Sequence, residues 1–414
     1  MAETLRPVFS DRLHPKLSYG IPFPAAAAHH VTATFHASRV YVLCSGSLER
    51  NSHVLERLTS ALGADRVVGK RIGMKSHTLW SEVVEVVNDA RREQADLLMT
   101  LGAGSLTDAA KIAALALAND VQDISDLSTL CEGPRKRSII NPPIVPIISI
   151  PTSLSAGEYS NFAGGTDSTG QKRSFSSPTR GPQLVILDPD LASTTPDRIW
   201  LSTGVRAVDH CVEALCSVDG PTKESDDTSE QALGLLLPGL LRCAGDPNRK
   251  DKEARLQCQI GSANAMTAAT SGVQLGASHG IGHQLGPLGV GHGETSCILL
   301  PSVCRYNLVH DDARGTNRAR QERVLRFLES NAVVAGVLRS RSVDVQKADL
   351  AVVLDAVIRE LGMPRTLKDV GVYLNQEQLE GLAAKSLQDR WCLTNPVPLK
   401  EKDQVLEILR TVLE

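Results

Sequence analysis

Aromatic residues are scarce in this 414-residue chain, at 3% of the total. That leaves few flat surfaces on which nucleic-acid bases could stack. There is no excess of positive charge either. The formal net charge is −3, so nothing draws the chain toward a phosphate backbone. Long apolar runs are missing: "LGLLLPGLL" at 233–241 falls well short of a membrane span. The N-terminal "MAETLRPVFSDRLHPK" has no apolar signal core. Nucleic acid and membrane are therefore not expected as partners, and a cytoplasmic location is. The nine cysteines include no CxxC pair. An odd, dispersed set reads as reduced thiols packed in a cytosolic protein.

What is present divides into two halves. From about residue 38 to 190, β-rich runs alternate with helical patterns. "SRVYVLCSG", "DRVVGK", "ADLLMTLGAG", "IVPIISIPTS" and "PQLVILDP" read as strands. "SHVLERLTSAL", "WSEVVEVVNDARRE" (with Ser81 as its cap) and "SLTDAAKIAALALAN" read as helices. The alternation predicts an α/β domain with a doubly wound, mostly parallel sheet. After about residue 193 the strand signal stops and helical spacing takes over, as in "RIWLSTGVRAVDHCVEALCS" and "DKEARLQCQIGSANAMTAATSG". The chain is thus expected to comprise an α/β dinucleotide-binding domain, 1–193, and an all-α substrate and metal-site domain, 194–414. Pro189 and Pro196 mark the irregular stretch between them, and a cleft between two such domains is a common place for a ligand.

"TLGAGSLTDAAK" (100–111) sets Gly102, Gly104 and Ser105 between a strand and a helix. Glycines there let backbone N–H groups approach a pyrophosphate, and the helix start adds a positive dipole end. Thr107 breaks the usual GxGxxG spacing. Asp108 and Lys111 share a face of the following helix. A surface ion pair would explain that spacing equally well.

Several motifs in order carry a family resemblance. "LGAGSLTDAAKIAA" resembles the GGGSxxDxAK signature of the iron-containing alcohol dehydrogenase family, with Ala103 for the middle glycine. "PTSLSAGE" (151–158) is similar to its PTT-type loop, and "GVRAVDHCVEA" (204–214) to its GxDAxxHxxEA helix. "HGIGHQLGPLGVGHGE" (279–294) is similar to its HxxxHxLG…HG segment, and "CLTNPVPL" to its closing pattern. "PTSLSAGE" is closer to the PTTYAGSE of the maleylacetate reductase branch than to the PTTAGTGSE of ordinary members, and "GQKRSF" is similar to that branch's Lys-Arg segment. The resemblance implies the dehydroquinate synthase-like, iron-containing alcohol dehydrogenase fold. It also implies hydride transfer with NAD(H) or NADP(H) bound in the cleft. The cofactor residues it points to are Ser45, Gly102, Ala103, Gly104, Ser105, Asp108, Thr152 and Ser153.

In metal-dependent members an Asp and three His hold a divalent ion, iron or zinc. The histidine positions match His210, His279 and His292, but the Asp position matches Arg206. The interval from His279 to His292 is also shorter than the family's. A guanidinium cannot ligate and stays charged, which favours a metal-free site. By adjacency Asp209 should point away from the face of His210, whereas Glu213 shares that face and could offer an oxygen. In the metal-free reading Arg206 grips a substrate carboxylate, Lys172 and Arg173 hold a second anionic group, and His210 and His283 serve proton transfer. The alternatives are that Arg206 pairs with Asp209 or Glu213 on its own helix, and that Lys172 and Arg173 form a solvated loop.

No acid at Ser45–Gly46 blocks a 2′-phosphate, so both cofactors are expected. The leading expectation is an NAD(P)-dependent reductase of a small carboxylated keto or unsaturated compound, working as a homodimer. A metal-dependent alcohol or aldehyde dehydrogenase is the second, and a non-redox lyase or binding protein built on the same fold the third.

Overall fold

A computed structural model describes residues 2–75, 77–176 and 178–414. The chain folds as two compact units, 1–195 and 196–414. The first is built on seven strands: β1 (Thr4–Pro7), β2 (Lys16–Tyr19), β3 (Val40–Cys44), β4 (Val67–Ile72), β5 (Leu97–Gly102), β6 (Ile147–Pro151) and β9 (Leu184–Ile186). Strands β7 (Ala163–Thr166) and β8 (Lys172–Phe175) form a separate antiparallel hairpin.

The sheet order is β1-β2-β9-β6-β5-β3-β4. All pairings are parallel except β1 on β2, an antiparallel edge that the sequence reading did not anticipate. Every residue of β3, β5 and β6 is buried. Side chains alternate between the faces of a strand, so one layer of core takes Tyr41, Leu43, Leu98 and Ile147. The opposite layer takes Val40, Val42, Met99 and Ile148. Both faces are covered, as parallel sheets require. The chain runs outward to β4 on one side of β3 and to β5, β6 and β9 on the other. The strand order therefore reverses between β3 and β5, the switch point where doubly wound sheets bind ligands.

Two local readings are corrected. Ser81 is not the cap of its helix: the helix spans Trp80–Arg92, and Leu79 stands at the cap position. Lys172 and Arg173 lie on strand β8 rather than in a loop, with Arg173 Nε donating to Asp167 at 2.8 Å.

The second unit has no strand among its described residues. The helices used below are α1 (Gly104–Leu117) in the first unit, then α2 (Asp197–Cys216), α3 (Lys223–Ala244), α4 (Lys252–Ala269), α5 (Ala277–Leu285), α6 (His292–Val309) and α7 (Arg390–Thr394) in the second. Helix α2 packs against α3, α4 and α6, and is buried almost all round from Trp200 onward. All nine cysteines are free and buried. No helix among the described residues is long and apolar enough to cross a membrane.

Candidate active site

In the first unit the expected cofactor residues gather at the carboxyl ends of three neighbouring strands. Ser45 follows β3, Gly102–Ser105 follows β5, and Thr152 and Ser153 follow β6. Backbone bonds tie the three turns together: Ser45 N donates to Leu101 O at 2.9 Å, and Thr152 N to Gly102 O at 3.1 Å. Gly102 has φ +143°, and a Cβ there would stand 2.9 Å from Ser45 Cβ and 2.7 Å from Leu106 Cδ1. Only glycine serves such a position. Helix α1 begins here with no side chain capping it. Its first N–H groups and its dipole are the usual cradle of an anion. These residues fit a dinucleotide's pyrophosphate.

Asp108 and Lys111 are not a surface pair. The Lys111 side chain is fully buried. Its Nζ donates to Gly157 O at 2.6 Å, to Phe162 O at 2.7 Å and to Asp108 Oδ1 at 3.3 Å. Asp108 in turn accepts from Gly164 N at 3.3 Å. The pair fastens α1 to the end of "PTSLSAGE" and to the segment that follows it. Burial pushes the carboxyl of Glu158, the last residue of "PTSLSAGE", up to about 7. Lys172 is exposed on β8.

In the second unit the chemistry lies on α2, α5, α6 and α7. Residues 206, 209 or 210, and 213 recur at helical spacing and share one side of α2. Arg206 is 3% exposed; its Nη1 donates to Ser296 Oγ at 3.1 Å and lies 3.8 Å from Asp209 Oδ2. Asp209 is fully buried and accepts from Ser278 Oγ at 3.0 Å and from Ser296 Oγ. The expectation that Asp209 points elsewhere is thereby corrected. A helix buried all round has no outward face, so a 100° rotation from His210 still leads into protein. Arg206 accordingly pairs with Asp209 on its own helix.

Glu213 is bound on all sides. It accepts from Gly276 N at 2.9 Å, Ser278 N at 2.8 Å and His279 Nδ1 at 2.7 Å. Asn395 Oδ1 accepts from Ala277 N at 3.0 Å. Two distant side chains thus cap the start of α5, which has no local cap of its own. A Cβ at Gly276 would meet Asn395 Oδ1 at 2.8 Å and Glu213 Oε1 at 3.0 Å, so the close approach depends on glycine.

The imidazoles form a row. His210 and His279 have ring centroids 4.7 Å apart, His279 and His283 6.5 Å, and His283 and His292 6.1 Å with near-parallel planes. Burial holds His210 and His279 well below the ordinary imidazole range, helped by the Arg206 charge, so both are neutral. Burial also lowers Arg206 and pushes Asp209 up to about 8 and Glu213 up to about 7. We assign the proton held by the carboxylate pair to Asp209. Its Oδ1 has no partner, whereas Glu213 has three N–H donors.

These residues do not fit the family's metal. The carboxylate position is Arg206. His292 opens α6 on its exposed side and stacks on His283 rather than closing on His210 and His279. Asp209, Glu213 and His279 do offer atoms within 4.8 Å of one another. Those atoms are already bonded, however: Glu213 to two backbone N–H groups, His279 Nδ1 to Glu213, and Asp209 to two serines. At this site three buried nitrogens remain unpartnered: Arg206 Nε, His210 Nδ1 and His279 Nε2. Buried polar atoms are rarely left unsatisfied: Arg206 Nε offers a hydrogen to a ligand oxygen, whereas His279 Nε2, its ring hydrogen committed to Glu213 from Nδ1, offers a lone pair.

Sequence reasoning missed Ser278, Ser296 and Asp389. The serines give no signal apart from the fold. Asp389 could have been found as the Asp before "RWCLT", a helix-cap position: its Oδ1 accepts from Trp391 N at 3.0 Å.

A glycine turn at the switch point of one unit and a histidine row in an all-helical second unit place the molecule among two-unit dehydrogenases. The profile "Iron-containing alcohol dehydrogenase" matches residues 21–189, and "Fe-containing alcohol dehydrogenase family, C-terminal" matches 200–413. "Dehydrogenase FUM7" of Gibberella moniliformis is 41% identical over 414 residues, covering 95% of each chain. "Dehydrogenase ALT3" of Alternaria alternata is 40% identical over 391 residues, covering 91% of this chain and 99% of its own. Among solved structures, maleylacetate reductase from Agrobacterium tumefaciens shares the fold, with a TM-score of 0.69 at 23% identity over 100% of this chain and 97% of that one. The chain belongs to the iron-containing alcohol dehydrogenase family and is an oxidoreductase.

Proposed function

We propose that this oxidoreductase is a metal-independent, NAD(P)H-dependent reductase of a small carboxylated keto or unsaturated compound, maleylacetate reductase-like in its chemistry. One observation carries the reading. A buried guanidinium, Arg206, stands where the family's metal needs a carboxylate, beside unpartnered nitrogens of His210 and His279. A fixed cation in a dry site disfavours a dication and favours an anion. The nicotinamide, when bound, supplies the hydride. Arg206, with the N–H of neutral His210, holds the substrate's carboxylate or carbonyl oxygen, and His283 delivers the proton that completes the reduction. Lys172, exposed on its hairpin, is a further anion-holding candidate.

Ser45, Gly102, Ala103, Gly104, Ser105, Asp108, Thr152 and Ser153 would frame the cofactor, with the start of α1 on its pyrophosphate. Glu49, the acid nearest Ser45 in sequence, accepts from Leu55 N at 2.9 Å and so is engaged elsewhere. That suits both NADH and NADPH. A Cβ at Gly104 would stand 3.0 Å from Ser155 Oγ and crowd the cradle. Gly104→Val should weaken NADH binding roughly tenfold or more, a change of about 1.4 kcal/mol. Fluorescence titration checks this; unchanged affinity would remove the cofactor from this loop.

The function itself is tested by metal analysis and a substrate panel. Mass spectrometry of protein purified without chelators should find no stoichiometric iron or zinc. NADH or NADPH oxidation should be faster with maleylacetate or 2-keto acids than with neutral aldehydes. Stoichiometric metal together with turnover of primary alcohols would establish the second reading, a metal-dependent alcohol dehydrogenase. What favours that reading is the buried group of Asp209, Glu213 and His279.

A further inference from the structure

We propose that Asp389 is the positioning residue that fixes the tautomer of His283, making Nε2 the nitrogen that exchanges a proton with the substrate. The inference rests on the reading of His283 as proton donor. His283 Nδ1 lies 2.8 Å from Asp389 Oδ2. A carboxylate only accepts, so Nδ1 carries the hydrogen and Nε2 is left for other business. Nε2 has no hydrogen-bond partner among the described residues, and the ring is 35% exposed.

The carboxylate is itself fixed. Its other oxygen caps α7 through Trp391 N at 3.0 Å, and the side chain is 15% exposed. Helix α7 is pressed onto α5 at Gly280, where a Cβ would meet Cys392 Sγ at 2.8 Å and Cys392 N at 3.1 Å. Gly280 lies three residues before His283 on α5, so the helix that carries the imidazole also seats the element that carries its carboxylate. The His292 ring lies nearly parallel to that of His283, with centroids 6.1 Å apart.

In a reduction the N–H bond at Nε2 of the imidazolium breaks and an O–H or C–H bond forms on the substrate. The accompanying electron pair is the hydride of the reduced nicotinamide, which leaves oxidised. The ring is left neutral with its hydrogen on Nδ1, the tautomer that Asp389 holds. Without that carboxylate the product tautomer loses its partner and the imidazolium its counter-charge.

Asp389→Asn separates positioning from folding. Asn also caps helices, but it has one oxygen. If that oxygen stays on Trp391 N, the amide NH₂ faces Nδ1 and obliges it to accept, moving the hydrogen to Nε2. Long-range ¹H–¹⁵N spectra of the full-length, histidine-labelled protein in mildly alkaline solution should show the His283 resonances, identified by their loss in His283→Gln, switching tautomer in Asp389→Asn. With whichever member of the substrate panel the wild type turns over best, kcat should fall about tenfold or more while KM hardly moves. An unchanged tautomer in Asp389→Asn overturns the proposal. A switched tautomer with unchanged kcat overturns it too, by removing His283 as proton donor and leaving Asp389 as a helix cap. Failure of the carboxylated-substrate reading would show separately, as a wild-type preference for neutral substrates in the panel.

Discussion

Glu213→Ala should destabilise the helical unit by about 3–5 kcal/mol, the usual cost of breaking a buried, fully bonded charged group. The carboxylate is 7% exposed and its two oxygens take three donors, Gly276 N, Ser278 N and His279 Nδ1. Alanine leaves two backbone N–H groups at the start of α5 buried and unpaired, each costing roughly 1–3 kcal/mol. Urea unfolding followed by circular dichroism measures the change. A loss under about 1 kcal/mol, ordinary for a surface position, would mean that α5 is held by something else. The pH dependence has a definite sign. Asp209 and Glu213 are raised to about 8 and about 7 from 3.8 and 4.5. The folded state therefore holds more protons than the unfolded chain between those limits. Stability from the pair is full below the ordinary carboxylate range and is lost as pH rises through 7 to 8. In Glu213→Ala that slope should flatten, because Asp209 loses the neighbour that helps to raise it.

Arg206→Leu should lower kcat/KM for the carboxylated substrate by roughly 10- to 150-fold, the equivalent of a charge-assisted contact of about 1.5–3 kcal/mol. Turnover of neutral aldehydes should change much less. Arg206→Lys should fail to restore the loss, since an ammonium cannot reproduce a planar fork. Steady-state rates with NADH and NADPH decide the matter. An equal loss for charged and neutral substrates would assign Arg206 to structure alone, as the partner of Asp209. Nη1 is already engaged with Ser296 and lies near Asp209, while Nε is buried and unpartnered.

The fold was largely legible in the sequence, because β3, β5 and β6 are short continuous apolar runs and the helices after residue 196 keep a strong 3.6-residue spacing. Strands β1 and β2, at one end of the sheet, were not legible: four residues each, they owe their pairing to a sheet assembled by residues far along the chain. The glycine turn could be read because glycine has a backbone reason to be there. The site in the second unit was legible only as residue types. His210 and His279 stand side by side as their motifs suggested. Yet the partners that define the site, Glu213 for His279 and Asp389 for His283, are 66 and 106 residues away. No local pattern encodes which of several buried acids will face a given imidazole. Asp209 was misjudged for a related reason: helical angle fixes direction, but only packing decides whether that direction is solvent or core.

The burial of every cysteine gives the protein an internal reporter. Two thiols, Cys44 and Cys131, belong to the first unit and the other seven to the second. An alkylating reagent reaches a buried thiol only when its surroundings open, and burial pushes Cys44 and Cys392 up to about 12 and raises Cys211 as well, away from the reactive form. The mass added in a brief pulse of reagent therefore counts opened segments: two adducts mark the first unit, seven the second. Native chains carry a record of which half breathes first, with no label engineered into either.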